Sequence, residues 1–360
     1  MSNHLNLSEI DQEQAFNLLK LSIKTGQNIF LFGRRGIGKT HLALDAAKKT
    51  KIKVNYINLS VIERADLAGY PDLSCSGDVV NFKSPYFLPT GSEQSILLFD
   101  EVDKASPEIT APLLEILQFK KINGKPINIC SCILTGNLVS ENVYSNAIST
   151  ALLDRGSKYL LKFDFDKWFE WAQKNNIDEL ILGFLKYDNT LVCGKIDDMS
   201  YASPSPRSWT LASDAIKKAK QHKIYDIETI SNIVSGYVGN EVGLKFKNWF
   251  MYYKQFEPYL ISIIDKYEIK IDFESLKPTE KLVFIVGLCA CAKNSFLYNK
   301  KHDSLVNLSK FLSLPNISDE IKLAGLVSSF NFEMITKYKL YLCKEFFELF
   351  KTITQKINLK

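Results

Sequence analysis

Gly33-Arg34-Arg35-Gly36-Ile37-Gly38-Lys39-Thr40, or GRRGIGKT, is the stretch on which the reading of this chain turns. Its Gly-x4-Gly-Lys-Thr spacing is that of a phosphate-binding P-loop. The glycines let the backbone curl so that its N–H groups face phosphate oxygens. The Lys39 ammonium neutralises β- and γ-oxygens, and the Thr40 hydroxyl ligates Mg²⁺. All eight residues, Gly33, Arg34, Arg35, Gly36, Ile37, Gly38, Lys39 and Thr40, are therefore candidate nucleotide-holding positions. Arg34 and Arg35 fill its variable places and read as solvated side chains. The flanks agree with the motif. An apolar run over 28–32 reads as a buried strand, and 39–49 reads as a helix built on Leu42, Ala43, Ala46 and Ala47.

Working outward, the spacing of Ala15, Leu18, Leu19 and Ile23 predicts a helix over 11–25 that stops at Gly26. Further strands are expected at 54–59, 96–99 and 127–134, while 60–94, rich in Gly, Ser and Asp, reads as irregular. Ser106-Pro107 reads as the N-cap and first position of a helix, whose start Pro112 should delay or kink. The third strand ends in Asp100-Glu101. An acidic residue there can hold the P-loop magnesium through water, and a second carboxylate can orient and polarise an attacking water. Strands alternating with helices mean a mostly parallel sheet covered on both faces, an α/β P-loop NTPase core. Beyond 164 the strand character fades. Helical periodicity occupies 167–185, 207–221, 226–254, 256–267, 279–292 and much of 318–356. The expected organisation is a core at 1–165, an all-α lid at 166–256 and a C-terminal helical region at 257–360.

Composition narrows the class. In 360 residues, 46% hydrophobic and 24% charged content suits a folded globular chain rather than a disordered one. The longest apolar run, 282–292, lies between Lys281 and Lys293 and is about half the ~20 residues a membrane helix needs. With no basic-then-apolar pattern at the N-terminus, a cytoplasmic setting is expected. Seven cysteines include two C-x-C pairs, Cys130/Cys132 and Cys289/Cys291, which read as small apolar residues of buried elements. Four scattered histidines argue against a zinc site. The net charge of +5 resides in 167–360, where 27 basic residues face 22 acidic ones. That excess names no partner.

Several further segments carry a resemblance. Asp66-Leu67-Ala68-Gly69-Tyr70, Asp100-Glu101-Val102-Asp103-Lys104-Ala105, Leu113-Leu114-Glu115, Ile122-Asn123-Gly124, Thr135-Gly136-Asn137, Leu152-Leu153-Asp154-Arg155 and Ser205-Pro206-Arg207-Ser208-Trp209 follow one another in this order. Together they resemble an AAA+ ATPase of the MoxR-like, helix-2-insert group, over about 25–256. The resemblance implies ATP and Mg²⁺ as cofactors, with Thr40 and Asp100 serving the metal. It makes Glu101, Asn137, Arg155 and Arg207 catalytic: Asn137 as the sensor of the γ-phosphate or water, Arg155 as a finger reaching a neighbouring subunit's nucleotide, and Arg207 as a second sensor on the lid. Such fingers contribute roughly 10³–10⁵ in rate. One departure stands out: the group commonly has Phe after the finger, whereas Gly156 and Ser157 follow Arg155 here. The implied assembly is a homo-oligomeric ring, a hexamer, acting on a protein client such as a von Willebrand factor A-domain protein, without membrane insertion. Two other readings stay open: an NTPase subunit of a nucleic-acid-acting defence or restriction complex, and a switch that binds ATP without turning it over. Residues 257–360 lie beyond the resemblance. Their aromatics, among them Phe330, Phe332, Tyr338, Tyr341, Phe346, Phe347 and Phe350, read as a helical core or a docking surface.

Overall fold

A computed structural model describes residues 7–74, 80–89, 91–137, 148–194, 202–299, 301, 303–330 and 332–357. Cys75, His4 and His302 lie outside them. The chain divides into two compact units, Met1–Asp164 and Phe165–Lys360.

In the first unit, β1 (Ser8–Ile10) leads into α1 (Gln12–Thr25), β2 (Ile29–Gly33), α2 (Lys39–Thr50), β3 (Lys53–Asn58) and α3 (Arg64–Ala68). A hairpin of β4 (Tyr70–Pro71) and β5 (Phe82–Lys83) follows, then β6 (Ser95–Asp100). Next come α4 (Thr110–Phe119), a second hairpin of β7 (Lys121–Ile122) and β8 (Lys125–Pro126), β9 (Ile129–Gly136), α5 (Thr150–Leu153) and β10 (Ser157–Leu161). Six strands form one sheet in the order β1-β10-β2-β9-β6-β3, and every pairing is parallel.

Local chemistry explains these elements. Three of the four inner strands, β2, β9 and β6, are near-continuous apolar runs buried along almost their whole length, as a sheet covered on both faces requires. Asp11 caps α1 by accepting from the Gln14 N–H, and Gly26 closes it at φ 73°. A 3₁₀ turn over Pro107–Ile109 precedes α4, so Pro112 falls in the first turn, where its missing N–H would have had no intrahelical partner. The expected delay of that helix thus has a plain cause. Asn123 and Gly124 turn the second hairpin at φ 48° and 72°, the sign that a two-residue Asn-Gly turn needs. The stretch expected to be irregular, 60–94, in fact holds α3 and the first hairpin.

The second unit is helical throughout: α6 (Phe165–Lys174), α7 (Glu179–Tyr187), α8 (Pro206–Gln221), α9 (Ile227–Val238), α10 (Asn240–Lys266), α11 (Pro278–Asn299), α12 (Asp303–Leu312), α13 (Asp319–Ser329), α14 (Phe332–Lys337) and α15 (Lys344–Ile357). Phe184, Trp209, Phe246, Trp249 and Phe250 form an aromatic cluster. Phe256 meets Phe284 edge-on, and Phe284 in turn meets Phe273 and Phe311. Phe330, Phe346 and Phe350 are buried, whereas Tyr338 and Tyr341 are exposed, so only part of the C-terminal aromatic set is core. Position 256, where the sequence pattern ends, lies inside α10, which continues past it through Pro258 to Lys266. Among the described residues, no helix is long and apolar enough to cross a membrane.

Candidate functional site

Sheet order builds the site. β9 lies between β2, which leads into the P-loop, and β6, which ends in Asp100. Phe32 pairs with Gly136 and Phe99 with Leu134, so the tips of all three strands finish side by side. The residues just past those tips are Gly33–Thr40, Asp100-Glu101 and Asn137. Parallel sheets gather ligand-binding loops at this carboxyl edge.

The P-loop passes straight into α2. Gly38 sits at φ 94° as N-cap and, lacking a side chain, leaves the opening N–H groups of the helix without a side-chain cap. Lys39 is buried, and its Nζ donates to the Gly33 carbonyl (2.8 Å), the Arg34 carbonyl (2.9 Å) and Asn137 Oδ1 (2.9 Å). The ammonium therefore spans its own loop and the β9 tip. Ile37 is buried beneath the loop, while Arg34 is half-buried and Arg35 exposed.

Asp100 gathers hydroxyls. Oδ2 accepts from Thr40 Oγ1 at 3.0 Å and from the Tyr56 hydroxyl at 3.1 Å, and Oδ1 accepts from Thr135 Oγ1 and the Glu101 N–H. Thr40 and Asp100 thus present two hard oxygens next to a cationic loop, the donor chemistry that Mg²⁺ takes. Glu101 adopts φ 58°, a left-handed conformation uncommon outside glycine, at the point where the chain leaves β6. Its carboxylate takes a 3.0 Å ion pair from Lys104, both side chains being about one-third exposed.

Sequence reading missed Asp103, Tyr56 and Thr135. Asp103 is fully buried. It receives the Asn137 backbone N–H at 2.9 Å, and the Asn137 Nδ2 lies 3.5 Å from its second oxygen. A buried carboxylate must be matched in this way or its desolvation would be very costly. Gly136 permits the approach, since a Cβ there would lie 2.9 Å from Val102 and 3.2 Å from the Asp103 carboxylate. In sequence, Asp103 looked like an ordinary charge in the turn after Glu101. The one available signal was a third acidic residue packed against two site carboxylates.

Lys39, Thr40, Asp100, Glu101 and Asn137 are brought together; Arg155 is not. It precedes β10, whose Ser157 pairs with Ile29 at the start of β2, while the P-loop leaves from the other end at Gly33. Four residues of strand separate those ends, about 13 Å at ~3.3 Å each. The Arg155 guanidinium donates to the Ala151 carbonyl (2.7 Å) and to Gln118 Oε1 (3.1 Å), on the side of α4 and α5. Arg207 belongs to the second unit, exposed in the first turn of α8, where Ser205 is the N-cap and Pro206 the first residue.

Residues 28–155 match the AAA domain family, dynein-related subfamily. That span runs from the foot of β2 through Arg155 and contains every site residue named in the first unit. Among curated proteins, the chain is 28% identical over 182 residues to the chaperone protein ClpB of Mycoplasma pneumoniae, covering 44% of this chain and 24% of that protein. ClpB 2 of Thermosynechococcus vestitus is 27% identical over 169 residues, covering 42% and 18% respectively. The chain thus spans about a quarter or less of these relatives. A Thermotoga maritima RuvB mutant of known structure aligns over 91% of this chain and 87% of its own, with 14% identity and a TM-score of 0.40.

Proposed function

Starting from an AAA+ P-loop ATPase core, we propose that this protein is a MoxR-like ring ATPase, a hexamer, that couples ATP hydrolysis to remodelling or assembly of a partner protein, with a von Willebrand factor A-domain protein as the client class. The P-loop would take the triphosphate, Lys39 bridging its terminal oxygens. Thr40 and Asp100 would hold Mg²⁺, which when bound neutralises phosphate charge. Glu101, released from Lys104, would polarise the attacking water, and Asn137 would fix that water or the γ-phosphate. The first hairpin, directly after Asp66-Leu67-Ala68-Gly69, agrees with an insert of the MoxR kind. Arg207 is assigned to couple the lid helix α8 to nucleotide state.

One observation carries the reading. The core gathers the nucleotide-facing residues at one edge of the sheet but holds Arg155 at the opposite edge, about 13 Å of strand away. That distance exceeds the reach of an arginine side chain. An arginine placed there agrees with service to a nucleotide bound by a neighbour, as in a ring of like interfaces.

Complementation tests this. Lys39→Ala and Arg155→Ala should each reduce steady-state phosphate release to below about one-hundredth. Mixed one to one, they should regain activity, because an intact P-loop then meets an intact Arg155 at about a quarter of randomly assembled interfaces. Full turnover by Arg155→Ala alone, or no recovery in a mixture shown to co-assemble, would overturn the proposal.

A further inference from the structure

An ionised carboxylate has about four lone-pair positions on its two oxygens. Asp100 has all four filled from within the described residues. Oδ1 accepts from the Thr135 hydroxyl and the Glu101 N–H, and Oδ2 accepts from the Thr40 hydroxyl at 3.0 Å and the Tyr56 hydroxyl at 3.1 Å. A magnesium ion beside Thr40 needs one of those positions, whether Asp100 meets the metal directly or through a metal-bound water. One donor must therefore give way.

The four differ in how readily they can. Thr135 is fully buried on β9. The Glu101 N–H belongs to the main chain where it leaves β6. Thr40 stays, because its proton can point at Asp100 while its oxygen lone pairs turn to the metal. That leaves Tyr56. It lies on β3, the outermost strand of the sheet, and is 48% exposed. Its register partner is Leu98, two residues before Asp100, so the phenol reaches along the strands to the carboxylate from the solvent side. A half-exposed hydroxyl can exchange such a bond for one to water at modest net cost.

We propose that the Tyr56 hydroxyl is a placeholder on Asp100. It holds the lone pair that magnesium or its water later takes, and metal binding turns the phenol out to solvent. The inference rests on the assignment of Thr40 and Asp100 to Mg²⁺. It gives Tyr56 a definite sign: each metal-binding event first breaks a hydrogen bond, so this tyrosine weakens metal affinity. A residue that only braced Asp100 would strengthen it.

The test is calorimetric titration of Mg²⁺ into the full chain loaded with ADP, with protein in excess over nucleotide. Wild type should take up about one Mg²⁺ per bound ADP. Tyr56→Phe keeps the ring and removes only the hydroxyl, and it should tighten Mg²⁺ binding about threefold to tenfold with the thermal melt of the first unit kept. Should that variant fail to fold, Tyr56→Leu serves instead, with the same direction expected. Damage to the site would weaken metal binding, so the direction of the change separates the two causes. If wild type takes up no Mg²⁺, the metal assignment of Thr40 and Asp100 fails and the placeholder with it. If wild type binds Mg²⁺ but the folded variant binds it equally or more weakly, the placeholder alone is overturned.

Discussion

At the scale of single residues, Asp103 deserves the most weight after the P-loop, because it determines where Asn137 can stand. Its carboxylate holds both the backbone and the side-chain amide of Asn137, and Asn137 in turn accepts from Lys39. Asp103→Asn removes one acceptor from a fully buried site while keeping the shape. Nucleotide affinity should change by less than about threefold, since Lys39 and its loop are intact. Turnover should fall by roughly ten- to a hundredfold, the size of one lost hydrogen bond to a charged group. Parallel measurement of kcat and KM checks this, and a raised KM with unchanged kcat would rule it out. Lys39, Thr40, Asp100 and Glu101 were legible in the sequence because a motif fixes their spacing. Asp103 was not, because its role arises from packing across three strands that no local pattern encodes.

Elements were legible in proportion to how much of their length is buried. Of the four inner strands, β2, β6 and β9 are apolar runs and could be read directly. β1 spans three residues and β10, Ser157–Leu161, is mostly half-exposed, so neither shows a period long enough to recognise. The two-residue strands of the hairpins give no period at all, although Asn123-Gly124 marked one turn. Burial also decides the C-x-C pairs. Cys132 on β9 and Cys289 on α11 are fully enclosed, which drives both thiols far above their ordinary range, and burial pushes Cys291 up to about 12. Cys130, raised less, donates its Sγ to the Ser95 carbonyl. A thiol titrating near 12 is thiolate in only about one molecule in ten thousand at pH 8. Native protein treated with a disulfide-exchange reagent at pH 8 should therefore leave Cys130, Cys132, Cys289 and Cys291 unlabelled, whereas guanidinium should expose all four. Peptide mapping by mass spectrometry reads the outcome. Native labelling of Cys132 or Cys289 would refute the burial.

For the whole molecule, the question is where one folding unit stops. Sequence resemblance ends near 256 and invites a cut there, separating a lid from a C-terminal region. The packing opposes that cut. α10 continues from Asn240 to Lys266 through an interior Pro258, and it buries Phe246, Trp249 and Phe250 before position 256 and Leu260, Ile263 and Ile264 after it. Phe256 itself meets Phe284 of α11 at 5.4 Å, edge to face. Gly287, also on α11, lies so close that a Cβ would come within 2.8 Å of Leu260 and 3.0 Å of the Tyr253 ring. Removing 257–360 would strip apolar cover from an aromatic core, at a cost of about 25 cal/mol for each Å² exposed. About 200–600 Å² newly exposed would then match the 5–15 kcal/mol by which typical domains are stable. The first unit has no such dependence, since its six-stranded sheet and its own apolar cluster close within Met1–Asp164. A fragment of residues 1–164 should accordingly unfold in one cooperative transition and bind no hydrophobic dye. The 1–256 fragment should retain that transition, lose the cooperative melt of its helices, and bind dye strongly. If 1–256 instead showed two sharp transitions and no dye binding, the lid would be an independent domain and α10 would be divisible at Phe256.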